Sequence, residues 1–512
     1  MSTAVEDIPP DTADQVVRNS SLLLLSTATM AGLGFVFWMI VTRLYTPVQV
    51  GLATSLISAT NLIAYTSLLG LNSTLVRFRA PRRARNGQLT RCCLLVGAAA
   101  CAAGSAYLIG LPRYGEKLLF IRQDPLHAAT FVFFCVCVAL SLLTDAVFIG
   151  ERMPQYNVIT DGLVQGLSKL ALPALLLGLG AFGIIAASGA GYLAGTLASF
   201  ILMYRKLKFR PRLRAKDTHL RDHLGFSLAS YGSSLLNLAP LLVLPLIVLQ
   251  RLGAAQAAFY FAAFQIATLL YAISYSVGEA LFAEVSNNES RFVPLLRRSA
   301  LVMAGAQIPA AVVVVAAVPM LRLFGAEYAA GAGPLLMVLA VASVAVAMNT
   351  WASFALKLAR RLKHLVVGNV LYATVTIGLA IALAPRGLVW LGWAWTAGNL
   401  VAGLYCSLAL LGARAPVAPS AAHSRPSRQA GAIARPRRAE RPDASTPPPR
   451  TALSSEDGAL AFDTNKMAAR QAHRPGPTGA LVTSSVLPNQ SCARNGTSLV
   501  PRNAPENGWR PE

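Results

Sequence analysis

Apolar residues come in runs of about twenty along most of the chain, from Ser20 to Leu411, broken by short polar or basic loops. A run of that length is what an α-helix needs to cross a hydrocarbon layer about 30 Å thick. About twelve such stretches can be drawn, near 20–41, 50–71, 92–111, 127–148, 158–177 and 181–204, and again near 226–249, 258–281, 300–320, 335–356, 365–384 and 389–412. The pattern predicts an all-α polytopic membrane protein. It divides into an acidic N-terminal stretch over 1–19, six spans over 20–204, a basic linker over 205–225, six further spans over 226–412, and a tail over 413–512. The tail is rich in Pro, Arg, Ala and Ser, shows no sustained period, and is expected to be disordered because it cannot bury enough apolar area to offset chain entropy.

Composition agrees with this and removes one class of function. Hydrophobic residues make up 54% of the chain and charged residues 13%, about half the share expected of a soluble protein. The formal net charge of +23 taken alone would suggest nucleic acid as partner. Its distribution points instead to topology. Alternate loops carry Arg77 to Arg91, Arg152, Arg205 to Arg221, Arg291 to Arg298 and Lys357 to Lys363, 22 basic residues in all, against 7 on the opposite side. The positive-inside rule then puts both termini in the cytoplasm of a multi-pass protein of the inner or plasma membrane, with membrane lipids rather than nucleic acid around it. The first eighteen residues, acidic at Glu6, Asp7, Asp11 and Asp14, lack the basic start of a secretory signal.

The two sets of spans resemble each other. Arg43 ends one apolar run and Arg251 another, 208 positions later, and each precedes a short loop and a further span. Six spans per half is an even number, so the halves share one orientation and are related about an axis along the membrane normal, an arrangement used by transporters.

Charge within a span is costly and marks a candidate site. Lys169 lies about twelve residues into its span, or ~18 Å at 1.5 Å per residue, near the midplane. It either faces a wet cavity or pairs with an acid, and Asp161, two turns away, could reach it only through water or a shift of the helix. Asp145, Asp161 and Glu279 each lie about a turn inside the cytoplasmic ends of their spans and are candidates for coupling or gating, or simply for pairing with loop arginines. Arg43 and Arg251 end spans on the outer side, where they snorkel or capture phosphate. Polar stripes at helical spacing, Thr54, Ser58, Asn61 and Tyr65 on the second span and Ser230, Ser233, Ser234 and Asn237 on the seventh, either join helices or line an aqueous path. Lys169, Arg43, Asn61 and Asn237 are thus the candidate substrate-binding set. Pro173, Pro240 and Pro245 are expected to bend their spans.

Enzyme motifs are absent: there is no Walker A, GxSxG or HExxH. His219 and His223 lack a third ligand nearby, and the seven cysteines show no disulfide spacing, so neither a metal nor a cofactor is expected.

The segment Arg43-Leu44-Tyr45-Thr46-Pro47-Val48-Gln49-Val50-Gly51 resembles the polysaccharide-repeat flippase branch of the multidrug/oligosaccharidyl-lipid/polysaccharide (MOP) exporter superfamily. So do Leu69-Gly70-Leu71-Asn72 leading to Val76-Arg77-Phe78, Ser168-Lys169-Leu170, Leu252-Gly253 leading to Phe259-Tyr260-Phe261, and Phe282-Ala283-Glu284. The resemblance runs from about Ser20 to Gly412. It implies two six-helix lobes that alternate access, moving lipid-linked oligosaccharide or polysaccharide outward without ATP, alongside glycan polymerases or glycosyltransferases. Drug-exporting relatives often carry a carboxylate in the first span, and this chain has none there. A multidrug antiporter of the same fold and a polytopic glycosyltransferase or ligase are the alternatives. The latter is disfavoured by a longest outer loop, 112–126, whose acids are Glu116 and Asp124 alone.

Overall fold

The computed structural model describes residues 32–77, 82–212, 220–287, 292–316 and 318–411. The acidic N-terminus, the start of the first span, His219 and the tail from 412 lie outside the described residues. So do the side chains of His223 and Glu279.

Among the described residues there is no strand, and the described parts of the expected spans are almost entirely helical. The first half runs through α1 (Gly32–Leu44), α2 (Pro47–Ser67), α3 (Leu71–Arg77), α4 (Arg82–Tyr114), α5 (Phe120–Gln123) and α6 (Pro125–Gly150). It continues with α7 (Gln155–Asn157), α8 (Gly166–Leu170), α9 (Leu172–Leu175) and α10 (Ala181–Leu207). The second half is α11 (Leu220–Leu252), α12 (Ala254–Asn287), α13 (Phe292–Ala316), α14 (Ala326–Leu358), α15 (Leu362–Leu383) and α16 (Leu388–Leu411). Ten of these helices are long and apolar enough to cross a membrane.

Local chemistry sets the starts. Thr46 caps α2 through a reciprocal box: its hydroxyl accepts from the Gln49 N–H (3.4 Å), and Gln49 Oε1 accepts from the Thr46 N–H (3.1 Å). Pro47 follows at the first helical position, where its missing N–H costs nothing. Asp124 caps α6 in the same way, accepting from Leu126 N–H at 2.8 Å, again with a proline next. Between α11 and α12 the turn passes through Gly253 at φ 101°, a conformation other residues adopt only under strain.

The fifth span departs from the continuous helix expected over 158–177. Between α7 and α8 the backbone is π-helical over Val158–Gln165, and the helix is interrupted again at Ala171, between α8 and α9. Pro173 accounts for the second break, since it has no N–H to return to the Lys169 carbonyl and its ring crowds that turn. Pro240 and Pro245, in contrast, lie inside the continuous α11.

In the first half α6 packs against α2, α4 and α10; in the second, α14 packs against α12 and α16, with α15 along α16. The halves join where α2 lies against α11 and α12. At the start of α2, Gly51 abuts the Ala254 carbonyl so closely that any side chain there would collide with it. The order of parts repeats: α2 and α12 begin 207 positions apart, at Pro47 and Ala254. The short 3-10 segments Glu116–Leu118 and Val318–Leu323 each follow the third long helix of their half.

Candidate functional site

The charged residues of the first half's interior converge. Asp145 projects from α6, Asp161 from the π-helical stretch, Lys169 from α8 and Tyr192 from α10. Eight ordinary helical steps would leave Asp161 and Lys169 about 80° apart around the axis. The π-turn, with its i→i+5 bonds, takes up an extra residue and brings the two within about 20° of one face. Helical side chains lean toward the N-terminus, so the lysine stem reaches back toward Asp161. The π-helical stretch is a local change of helix winding between the two residues, and among the described residues no ion pair joins them.

The lysine's surroundings are specific. Its ammonium lies 5.0 Å from the centre of the Tyr192 ring, within range of a cation–π contact. Its stem passes over Gly191 of α10. Asp161 is the carboxylate whose charge it feels. Yet among the described residues no carboxylate comes within 4.0 Å of the ammonium and no hydrogen-bond acceptor meets it. Among the described residues Lys169 therefore has the Tyr192 ring beside its ammonium and no acceptor on its donors.

The acids face each other. The carboxyls of Asp145 and Asp161 are close enough to act on each other's charge, and one oxygen of each is shielded from solvent without a donor. Two carboxylates so placed repel unless a proton or cation lies between them. Asn157 Nδ2 donates to the Asp145 backbone carbonyl at 3.3 Å, tying α7 to the end of α6. Asp145, Asp161, Lys169 and Tyr192 all retain some accessible surface. The group is not sealed into a core. On its flank Tyr231 of α11 donates its hydroxyl to the Tyr65 carbonyl of α2, so the second half touches the wall of this group.

The remaining sequence candidates lie apart from it. Asn61 is half-buried on α2, one turn before Tyr65. Arg43 is exposed at the far end of that region, with Nε donating to the Leu323 carbonyl at 3.0 Å. Asn237 Nδ2 donates to Asn369 Oδ1 of α15 at 3.5 Å, and Asn369 Nδ2 donates to Ser233 Oγ at 2.9 Å, so this stripe joins two helices. A second amide pair, Asn349 to Asn399 at 3.1 Å, joins α14 to α16. Glu279 lies on α12, its side chain outside those described. Tyr192, Gln165, Tyr231 and Gly191 were not singled out from the sequence. The legible signal for the last was the Gly191-x-x-x-Gly195 spacing, which lets a neighbouring segment approach closely; Gly195 faces the Thr160 carbonyl.

Comparison with known proteins follows the same outline. A search of curated protein sequences returns no match. Among solved structures, the chain is similar to the lipid II flippase MurJ in an inward closed conformation, with a TM-score of 0.61 and 11% identity over 77% of this chain and 87% of that one. It is also similar to a multidrug resistance MATE family transporter of the MOP superfamily in its inward-facing conformation, at a TM-score of 0.55 and 16% identity, covering 74% and 93%. A MOP superfamily transporter from Pyrococcus furiosus gives 0.51 and 16%, covering 77% and 94%. At these identities the likeness is one of fold. The model of the family described as "Polysaccharide biosynthesis protein" matches residues 16–282, more than half of the chain and the whole of the Asp145–Asp161–Lys169 group. The chain, built on the fold of MOP superfamily transporters, belongs to the polysaccharide biosynthesis protein family.

Proposed function

We propose that this protein carries a lipid-linked oligosaccharide, or polysaccharide, from the cytoplasmic to the outer side of the inner or plasma membrane by alternating access of its two halves, without covalent chemistry. The observation that carries the reading is Lys169: a cation inside a span, held over an aromatic ring, with no acid or acceptor directly on its ammonium among the described residues. A diphosphate linking lipid to glycan is the costliest part of such a substrate to move through a low-dielectric region, and a cation there is worth more than in water. Lysine's flexible stem lets the ammonium follow a phosphate as it shifts. On arrival of the anion, Lys169 turns from Asp161 to phosphate, and the Asp145–Asp161 pair, now without that neighbouring charge, holds a proton or cation more tightly. That links substrate to the coupling ion in one site. Glycan polymerases or glycosyltransferases are the expected neighbours in the membrane.

The test is reconstitution of the full chain in vesicles with a fluorescent lipid-diphosphate oligosaccharide, scoring movement between leaflets by chemical quenching. Transport above protein-free vesicles is expected, and expected to stop in Lys169→Gln. Movement of organic cations with none of the lipid would favour the efflux antiporter instead.

A further inference from the structure

Two cations at the opposite end of α2 from the charged group are not explained by it. Arg43, at the end of α1, donates from Nε to the Leu323 carbonyl of the second half at 3.0 Å. Lys117, in the 3-10 segment after α4, donates from Nζ to the Leu249 and Gln250 carbonyls in the last turn of α11, at 2.9 and 3.2 Å. Both clamps cross from one half to the other. The 208-position offset that lays Arg251 on Arg43 also lays Leu323 on Gly115 and Leu249 on Val41. Each clamp thus ties the end of one half's first helix to the segment after the other half's third long helix. An axis along the membrane normal keeps two such clamps on one face. Between them the rim is shut by backbone, Gly51 against Ala254, and by rings: Trp38 and Phe261 at 4.3 Å, Phe35 and Phe324 at 5.4 Å.

What holds each cation is a neutral carbonyl. Among the described residues no carboxylate comes within 4.0 Å of either, and Arg251 and Arg322, beside the acceptor carbonyls, add positive charge. A carbonyl satisfies the donors but leaves the charge whole, whereas a phosphate oxygen would satisfy both and bind more strongly. The donors are occupied where the halves meet, and separation of the halves at this rim would free them.

We propose that Arg43 and Lys117 are two anion-binding points on the outer rim, each latching the halves together through carbonyls when empty and each taking phosphate oxygens of departing substrate when open. Both rest on the flippase reading for the identity of their anion. A ligand that binds the open state better than the closed one shifts the equilibrium toward open, so anion at this rim acts as a key to outward opening.

The probe is inorganic pyrophosphate. In spheroplasts carrying the full chain with its seven cysteines replaced, Ser55→Cys reports opening. Ser55 is buried against the Pro245 carbonyl of α11, about 12 Å below the start of α2 at 1.5 Å per residue. Labelling by a membrane-impermeant maleimide is expected to rise at least threefold with pyrophosphate and not with sodium chloride at equal ionic strength. In Arg43→Gln/Lys117→Gln the basal rate is expected to rise and the pyrophosphate response to vanish. An equal response to chloride, no response at all, or a response that survives in the double variant and disappears in Lys169→Gln overturns the proposal. The pyrophosphate comparison needs no rim variant, so it decides even if the double variant fails to fold. Pyrophosphate-gated labelling in a protein that moves no diphosphate lipid keeps the rim site and removes the flippase reading.

Discussion

The stem of Lys169 runs across the bare backbone of Gly191: a β-carbon on that glycine would lie 2.5 Å from Lys169 Cγ and 3.0 Å from the Gln165 carbonyl oxygen. The glycine is the seat of the lysine. Overpacking of this kind costs roughly 1–3 kcal/mol and is relieved by moving whatever can move, here the flexible stem. Gly191→Ala is expected to insert normally, melt somewhat lower in detergent, and lose at least tenfold in lipid-diphosphate transport. Gly232→Ala, with nothing within 4 Å of its added carbon, is the control and should change neither. Full transport by Gly191→Ala would remove the need for a precisely placed ammonium.

Charge and volume at position 169 can be separated. Lys169→Arg should keep part of the transport and Lys169→Ala should lose it, both at normal abundance. Lys169→Gln discriminates best. A purely structural partner of Asp161 predicts reduced abundance, because the acid group is left uncompensated, while a substrate-binding cation predicts normal abundance with lost flux. Normal export from a well-expressed Lys169→Gln protein rules out the substrate role.

Orientation decides which rim is outer. Arg122, on α5, and Arg205, in the last turn of α10, are both exposed. Cysteine at 122 is expected to react with an impermeant reagent added to intact cells, and cysteine at 205 only after permeabilisation. The reverse pattern would invert the direction of transport and move Arg43 and Lys117 to the cytoplasmic side.

At the other end of the first half, Arg85 joins three helix ends. Its Nη1 lies 3.5 Å from Glu151 Oε1, just after α6, and its Nη2 donates to the Leu207 carbonyl at the end of α10. Arg85→Ala leaves a buried carboxylate without this partner, and a loss of about 1.5–3 kcal/mol is expected, the worth of a charged hydrogen bond. Thermal unfolding in detergent measures it, with a lower midpoint than wild type as the expected result. An unchanged midpoint would show that other contacts hold these ends together.

Removing residues 415–512 is expected to leave insertion, abundance and most transport intact, since that composition carries no packing pattern. A truncated chain at normal abundance that transports nothing would assign the tail a specific task.

What could be read from the sequence follows from the solvent. In a bilayer every backbone group must be satisfied within its own helix, so length and hydropathy alone place the spans, to within a few residues of the starts that the Thr46–Gln49 box and the Asp124 cap set in the structure. The place of Lys169 inside its span, with Asp161 two turns before it on a similar face, was read from the sequence, because one residue per 1.5 Å converts position into an expected depth. The π-turn at Val158–Gln165, which alters the winding between them, was not, because it has no reliable local signature. Asn237 shows the opposite limit: its stripe was visible, but the acceptor that makes it a joint, Asn369, lies 132 positions away.

The chain by itself determined that this is a two-part helical membrane protein with a lysine inside its fifth span and a strong basic bias on alternate loops. Those properties depend on local composition and on the cost of charge in hydrocarbon. Only the tertiary structure decided which groups meet: Asp145 with Asp161, Lys169 with Tyr192 and Gly191, Arg43 with Leu323, Lys117 with Leu249. Each is a contact between segments whose approach is set by packing of small residues and helix breaks, and pairings of that kind leave no period along the sequence.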